Sequence, residues 1–190
     1  MSDVDLTRSA GPSAMWAGPK DAPAVVVLDP AGVGRHGDLP ATWRPLVEYL
    51  QVLWCRLPAA DGPWREVSDV LAEFDGRGVP VHLLTSGPAA ASALYLADRY
   101  RGLVRSVLLV DPEDGPDRTT GLAADVRVIA TRPLPLGHPD VVVEVVRVLL
   151  ELDDGDHSPP QRPAMTSLLG DAATALRESV AHILDRVRKA

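Results

Sequence analysis

One feature constrains the fold more than any other. Short apolar runs rich in β-branched residues recur along the chain, each separated from the next by a helical pattern. The runs are Ala24–Leu28 (AVVVL), Val52–Arg56 (VLWCR), Val79–Leu84 (VPVHLL), Arg105–Val110 (RSVLLV), Val126–Ala130 (VRVIA) and Val146–Leu152 (VRVLLEL). Runs of this length with few polar positions suit strands covered on both faces, as in a parallel sheet. Between them, Leu39–Thr42 leads into a helical stretch, Trp43–Leu50. Val67, Val70, Leu71 and Phe74 share one helix face within Trp64–Phe74, which Gly76 and Gly78 end. Pro88–Tyr100 is alanine-rich, with proline in its first turn, where a missing N–H costs nothing. Segment 138–145 is compatible with a short helix. Met165, Leu168, Leu169, Ala172, Ala173, Leu176, Val180, Ile183, Leu184 and Val187 form one stripe on a helix of about six turns.

Strands alternating with helices predict a doubly wound α/β domain: a mostly parallel sheet of about six strands in a three-layer sandwich. That arrangement requires Val146–Leu152 to lie in the sheet. The length of 190 residues suffices for one domain and leaves too little for a second. Residues 1–22 are polar and rich in Gly, Pro and Ser, and read as a flexible arm that Met15 and Trp16 pin to the body. The domain proper is 23–190.

The apolar content of 46% and charged content of 24% exclude a disordered or fibrous chain. A net charge of −7 offers no basic surface for nucleic acid. No apolar run approaches the length of about 20 residues that spans a bilayer, and no signal peptide is expected, so the expected location is cytoplasmic, with no membrane partner. Lysine occurs only at Lys20 and Lys189, a bias that fits a GC-rich bacterial genome. The single cysteine, Cys55, sits in the run VLWC and is expected to be buried rather than nucleophilic. His36, His82, His138 and His182 lack ligand spacing, so no metal is expected.

Gly32-Val33-Gly34-Arg35-His36-Gly37 matches the dinucleotide pattern G-x-G-x-x-G. The mechanism needs the last glycine to open a helix directly. Here Asp38-Leu39-Pro40 intervenes, and the next strand ends at Arg56 rather than at an acid for a ribose hydroxyl. The segment reads as a glycine loop, and no cofactor is expected.

The segment Val81–Pro112, VHLLTSGPAAASALYLADRYRGLVRSVLLVDP, resembles the central strand, nucleophile elbow, helix and following strand of the α/β-hydrolase superfamily. Those proteins commonly read G-H-S-M-G-G, then A-L-x-L-A, then V-R-S-L-V-L-V-D-P. Ala93–Ala97 and Val104–Pro112 match without a gap. Upstream, Val25–Gly32 resembles the strand and oxyanion loop, and Trp43–Leu46 the helix after it. Downstream, Asp153–Pro159 (DDGDHSP) resembles the loop bearing the catalytic histidine, here His157. The resemblance covers about residues 24–188 and implies an α/β-hydrolase-like fold. It also implies no cap, since only Glu113–Ala124 separates Pro112 from the next strand.

The same resemblance removes the chemistry. It puts Gly87 where the nucleophile belongs and Pro88, which has no N–H, where the oxyanion donor belongs. Loss of one such donor alone costs about 10²–10³ in rate. Asp29-Pro30 replaces the family's His-Gly, and the triad acid falls at about Leu134. Gly87 is expected at the tip of the turn with φ > 0, a conformation that glycine holds without strain. Ser86 reads as the N-cap of the following helix, or, in a frame shifted by one, as a nucleophile paired with His157. Asp111 and Asp29 both end strands at the carboxyl edge and are candidate acids or bases for His157. In a V-D-P turn, Asp111 more ordinarily bonds loop amides. Three function classes follow. One is a degenerate relative binding a small molecule at the carboxyl edge, or a protein partner. Another is an esterase or thioesterase using Ser86 and His157. The last is a lyase, cyclase or dehydratase using His157 with Asp29 or Asp111.

Overall fold

The computed structural model describes residues 14–30, 38–56, 63–113 and 121–155. Strands β1 (Ala14–Ala17), β2 (Ala24–Asp29), β3 (Gln51–Arg56), β4 (Val81–Ser86), β5 (Val104–Val110) and β6 (Asp125–Ala130) form one sheet in the order β1-β3-β2-β4-β5-β6. Only the β1–β3 pair is antiparallel. The class is the expected α/β one, a mostly parallel sheet between helical layers, although it is reached without a strand over Val146–Leu152.

Alternation along each buried strand builds the two layers. Val26, Leu28, Leu83, Val107 and Leu109 point to one face. There they meet α1 (Pro63–Arg77) through Val67, Leu71 and Phe74, and α2 (Ala90–Arg99) through Ala90, Ala93, Leu96 and Ala97. Val25, Val27, Val52, Trp54, Leu84, Leu108 and Val110 point to the other face. A 3-10 helix (Ala41–Glu48) covers them with Trp43 and Leu46, and α3 (Pro139–Gly155) with Val141, Val142, Val145, Val148 and Leu149. Burying each such aliphatic side chain contributes about 1.5–3 kcal/mol. The stretch 41–48 is tightened to 3-10 geometry around an internal proline, Pro45, which lacks the N–H that an α-helix would aim at Ala41.

Two expectations are corrected. Val146–Leu152 lies inside α3, not in the sheet. The β-branched bias suggested a strand, but Val141, Val142, Val145, Val148, Leu149 and Leu152 repeat at helical spacing and bury one stripe. Glu144, Arg147 and Glu151 take the other side, where Arg147 pairs with Glu144, and Glu151 with Arg127 of β6. Pro139 and Asp140 occupy the first turn, where proline and an acid are favourable. The sixth strand is instead β1, inside the stretch read as an arm. Met15 lies opposite Trp54 and Trp16 opposite Leu53. Met15 is buried, and the Trp16 ring lies 5.6 Å from that of Phe74. The proposed C-terminal stripe 165–187 and the glycine loop 32–37 fall outside the described residues.

Candidate functional site at the carboxyl edge

Five parallel strands bring their carboxyl ends to one edge. Register sets the side chains there in a row. Asp29 of β2 is paired with Arg56 of β3. Leu28 is paired with Thr85, which brings Asp29 level with Ser86 at the end of β4. Ser86 is paired with Val110, one residue before Asp111. Thr85 locks β4 to β2 by donating its hydroxyl to the Leu28 carbonyl at 2.8 Å. Asp29 follows Val27, Arg56 follows Trp54 and Ser86 follows Leu84 by two residues. All three therefore share the face covered by the 3-10 helix and α3.

The turn after β4 has the geometry expected of it. Ser86 is extended at φ −136°, and Gly87 reverses the chain at φ +52°. Pro88 lies in the short 3-10 turn Gly87–Ala89 that opens α2, and Ala90 N–H donates to the Gly87 carbonyl. A Cβ built on Gly87 would meet nothing within 4 Å. Glycine is thus favoured there by the backbone angle, not by space. Ser86 does stand at the N-cap position of this turn, but its side chain makes no capping bond. A serine cap reaches the N–H of the second or third helical residue, and Pro88 in the second position has none.

Asp29 is 4% exposed, and its Oδ2 accepts a hydrogen bond of 3.0 Å from Trp54 Nε1. Trp43 packs edge-on against Trp54, with ring centroids 5.5 Å apart, and donates its own Nε1–H to the Leu136 carbonyl at 3.0 Å. Asp111 is half-buried, the one described non-glycine residue with positive φ, at +46°. Its N–H donates to the Ala130 carbonyl at 2.7 Å, so the strand-end turn is held by backbone bonding toward β6. Such a conformation in a non-glycine residue is uncommon and concentrates at functional sites.

Two residues to which the sequence reading gave no role become conspicuous in the sheet. Arg56 is 5% exposed, and its Nε, Nη1 and Nη2 find no hydrogen-bond partner among the described residues. His82 of β4 is buried against Ser106 of β5, with Nδ1 2.9 Å from Oγ. Burial, and then the charge of Arg105, lower the His82 pKa to about 4. This pair lies near the amino ends of its strands, away from the candidate edge, and its neutral imidazole is a structural partner. Arg56, His82 and Ser106 are polar residues in largely apolar strands, a signal that gains meaning only once the register is known.

The structure thus brings Asp29, Ser86, Gly87, Pro88 and Asp111 to one edge. His157 lies outside the described residues. Leu134, where the sequence resemblance puts the triad acid, is half-buried against the α3 layer. Among the described residues, no group of three or more His, Cys, Asp or Glu is placed to hold a metal ion. No described helix is long and apolar enough to cross a membrane.

No protein-family model matches this chain, and no curated protein does. Solved structures do resemble it. The enol-lactonase from Burkholderia xenovorans is 19% identical over 52% of this chain and 42% of its own, with a TM-score of 0.37. A bacterial membrane phospholipase A is 21% identical over 93% and 58%, at 0.39. An epoxide hydrolase from Vigna radiata is 14% identical over 87% and 62%, at 0.36. The chain spans about half the length of the solved structures it resembles. The described residues themselves show a mostly parallel α/β sheet between two helical layers.

Proposed function

We propose that this protein is a non-hydrolytic member of the α/β-hydrolase superfamily that binds a ligand or partner at the carboxyl edge of its sheet. One observation carries the reading: Gly87, at φ +52°, stands at the tip of the elbow and is followed by Pro88. The tip is where a hydrolase of this fold exposes its nucleophile, and the next N–H is an oxyanion donor. Glycine supplies no nucleophile and proline no N–H. Ser86, one residue earlier, is still in extended strand geometry and directs its side chain toward the α3 face rather than off the turn.

A second reading is favoured by the positive φ of Asp111, next to the elbow. In it, Asp111 or Asp29 acts as acid or base in a lyase, cyclase or dehydratase reaction, with His157 as a candidate partner.

Labelling with a fluorophosphonate tests the first reading. The wild-type protein is expected to remain unlabelled and to turn over no p-nitrophenyl esters. Labelling that disappears in Ser86→Ala would overturn it in favour of a serine hydrolase.

A further inference from the structure

We propose that Arg56 anchors a small carboxylate ligand at the carboxyl edge. The inference rests on the reading of that edge as a binding site. Arg56 is 5% exposed, and its three guanidinium nitrogens have no hydrogen-bond partner among the described residues. Guanidinium stays charged at any physiological pH and carries five N–H donors in a fixed plane. Asp29 on the neighbouring strand supplies a negative charge in register, but buried guanidinium donors that bond nothing remain unfavourable, and folds that keep them satisfy them with an acceptor.

The position of Arg56 argues that the anion is a ligand. It closes β3 at the edge where open α/β sheets hold their ligands. It stands level with Asp29 and, through β2, with Ser86, all three on one face. The planar fork matches the two oxygens of a carboxylate. Ser86, half-buried in the same row and making no capping bond, offers a hydroxyl to a polar group farther along the ligand.

A phosphate dianion fits the same fork but not the same surroundings. The buried Asp29 carboxylate lies beside Arg56 in register, within a chain of net charge −7. A second negative charge on the ligand would be repelled there, so a monoanion is the better match.

Calorimetric titration of the full chain tests this, using sodium benzoate and sodium acetate, with methyl benzoate as the neutral isostere and inorganic phosphate as the competing anion. Saturable benzoate binding is expected, without binding of methyl benzoate. Arg56→Met should weaken it by at least about tenfold, because truncating one partner of a buried charged pair is costly, and Arg56→Lys should retain part of it. If Arg56→Met does not fold, Arg56→Lys and thermal shifts of the wild-type protein by the four compounds carry the test. Absence of saturable carboxylate binding by folded wild-type protein would overturn the site, as would equal binding by a folded Arg56→Met variant. Tighter binding of phosphate than of benzoate would overturn the carboxylate assignment. Ester turnover accompanied by Arg56-dependent benzoate binding would sink the non-hydrolytic reading and leave the site standing. Neither turnover nor binding would sink the site alone.

Discussion

Trp54 Nε1 donates a 3.0 Å hydrogen bond to Asp29 Oδ2, tying the last residue of β2 to the neighbouring strand inside an apolar layer. Through the edge-on contact of Trp54 with Trp43, and the bond from Trp43 to the Leu136 carbonyl, Asp29 ends a chain of contacts that begins just before α3. A residue that resembles a catalytic candidate in sequence therefore has a definite structural duty.

Asp29→Ala should lower stability by about 1–3 kcal/mol, since it leaves a buried indole N–H without its acceptor. Asp29→Asn should cost less, because the amide oxygen can still accept. Urea unfolding of both variants measures the difference. Equal losses would mean that this bond is not what the carboxylate contributes.

His82 makes stability depend on pH. Its pKa falls from 6.5 to about 4 in the fold, so between those values the unfolded chain binds a proton that the folded chain refuses. Its contribution is complete above pH 6.5 and is lost as pH falls from there toward about 4, by up to about 3 kcal/mol. Denaturant midpoints at pH 7, 5.5 and 4.5 should show this slope, beside whatever the carboxylates add. His82→Gln, which keeps a partner for Ser106, should flatten it. An unchanged slope in the variant would assign the dependence to other groups.

Two glycines with positive φ should respond differently to a side chain. Gly87→Ser meets open space and bears only backbone strain, about 1–2 kcal/mol. On the proposed reading no esterase activity appears, because Pro88 has no N–H to offer an oxyanion. A Cβ on Gly18 would lie 2.0 Å from the Leu50 carbonyl oxygen and 3.0 Å from that of Val47, with φ at +97°. Gly18→Ala should therefore destabilise the junction of β1 and the 3-10 helix more than Gly87→Ala destabilises the elbow. Thermal midpoints of the two alanine variants compare them directly, and the reverse order would contradict the geometry.

Asp111→Gly separates backbone from side-chain roles. Glycine accepts φ +46° freely, so the substitution should be neutral or stabilise the fold by up to about 1 kcal/mol. A loss of stability in calorimetry would show that the carboxylate itself holds the strand-end turn.

The parallel sheet was legible because its strands are buried on both faces, which forces continuous apolar runs such as Val25–Leu28 and Val107–Val110. The turn after β4 was legible because a positive φ next to a proline restricts the residue type, and Gly87-Pro88 states that restriction in two letters. The helix over 139–155 was misread in part because β-branched residues carry a strand bias that burial against a sheet overrides. The strand 14–17 escaped notice because an edge strand of four residues leaves almost no periodicity.

What the chain determined alone was local: where apolar segments recur, where the backbone must turn, and which position at the turn has no side chain. Tertiary structure alone decided which distant residues stand side by side. Arg56 beside Asp29, and His82 beside Ser106, follow from strand order and register. Register is set by the summed packing of two faces rather than by any one residue, so it cannot be read from either strand separately. An arginine at a strand end is unremarkable in sequence. Burial of its guanidinium at the carboxyl edge is a property of the assembled sheet.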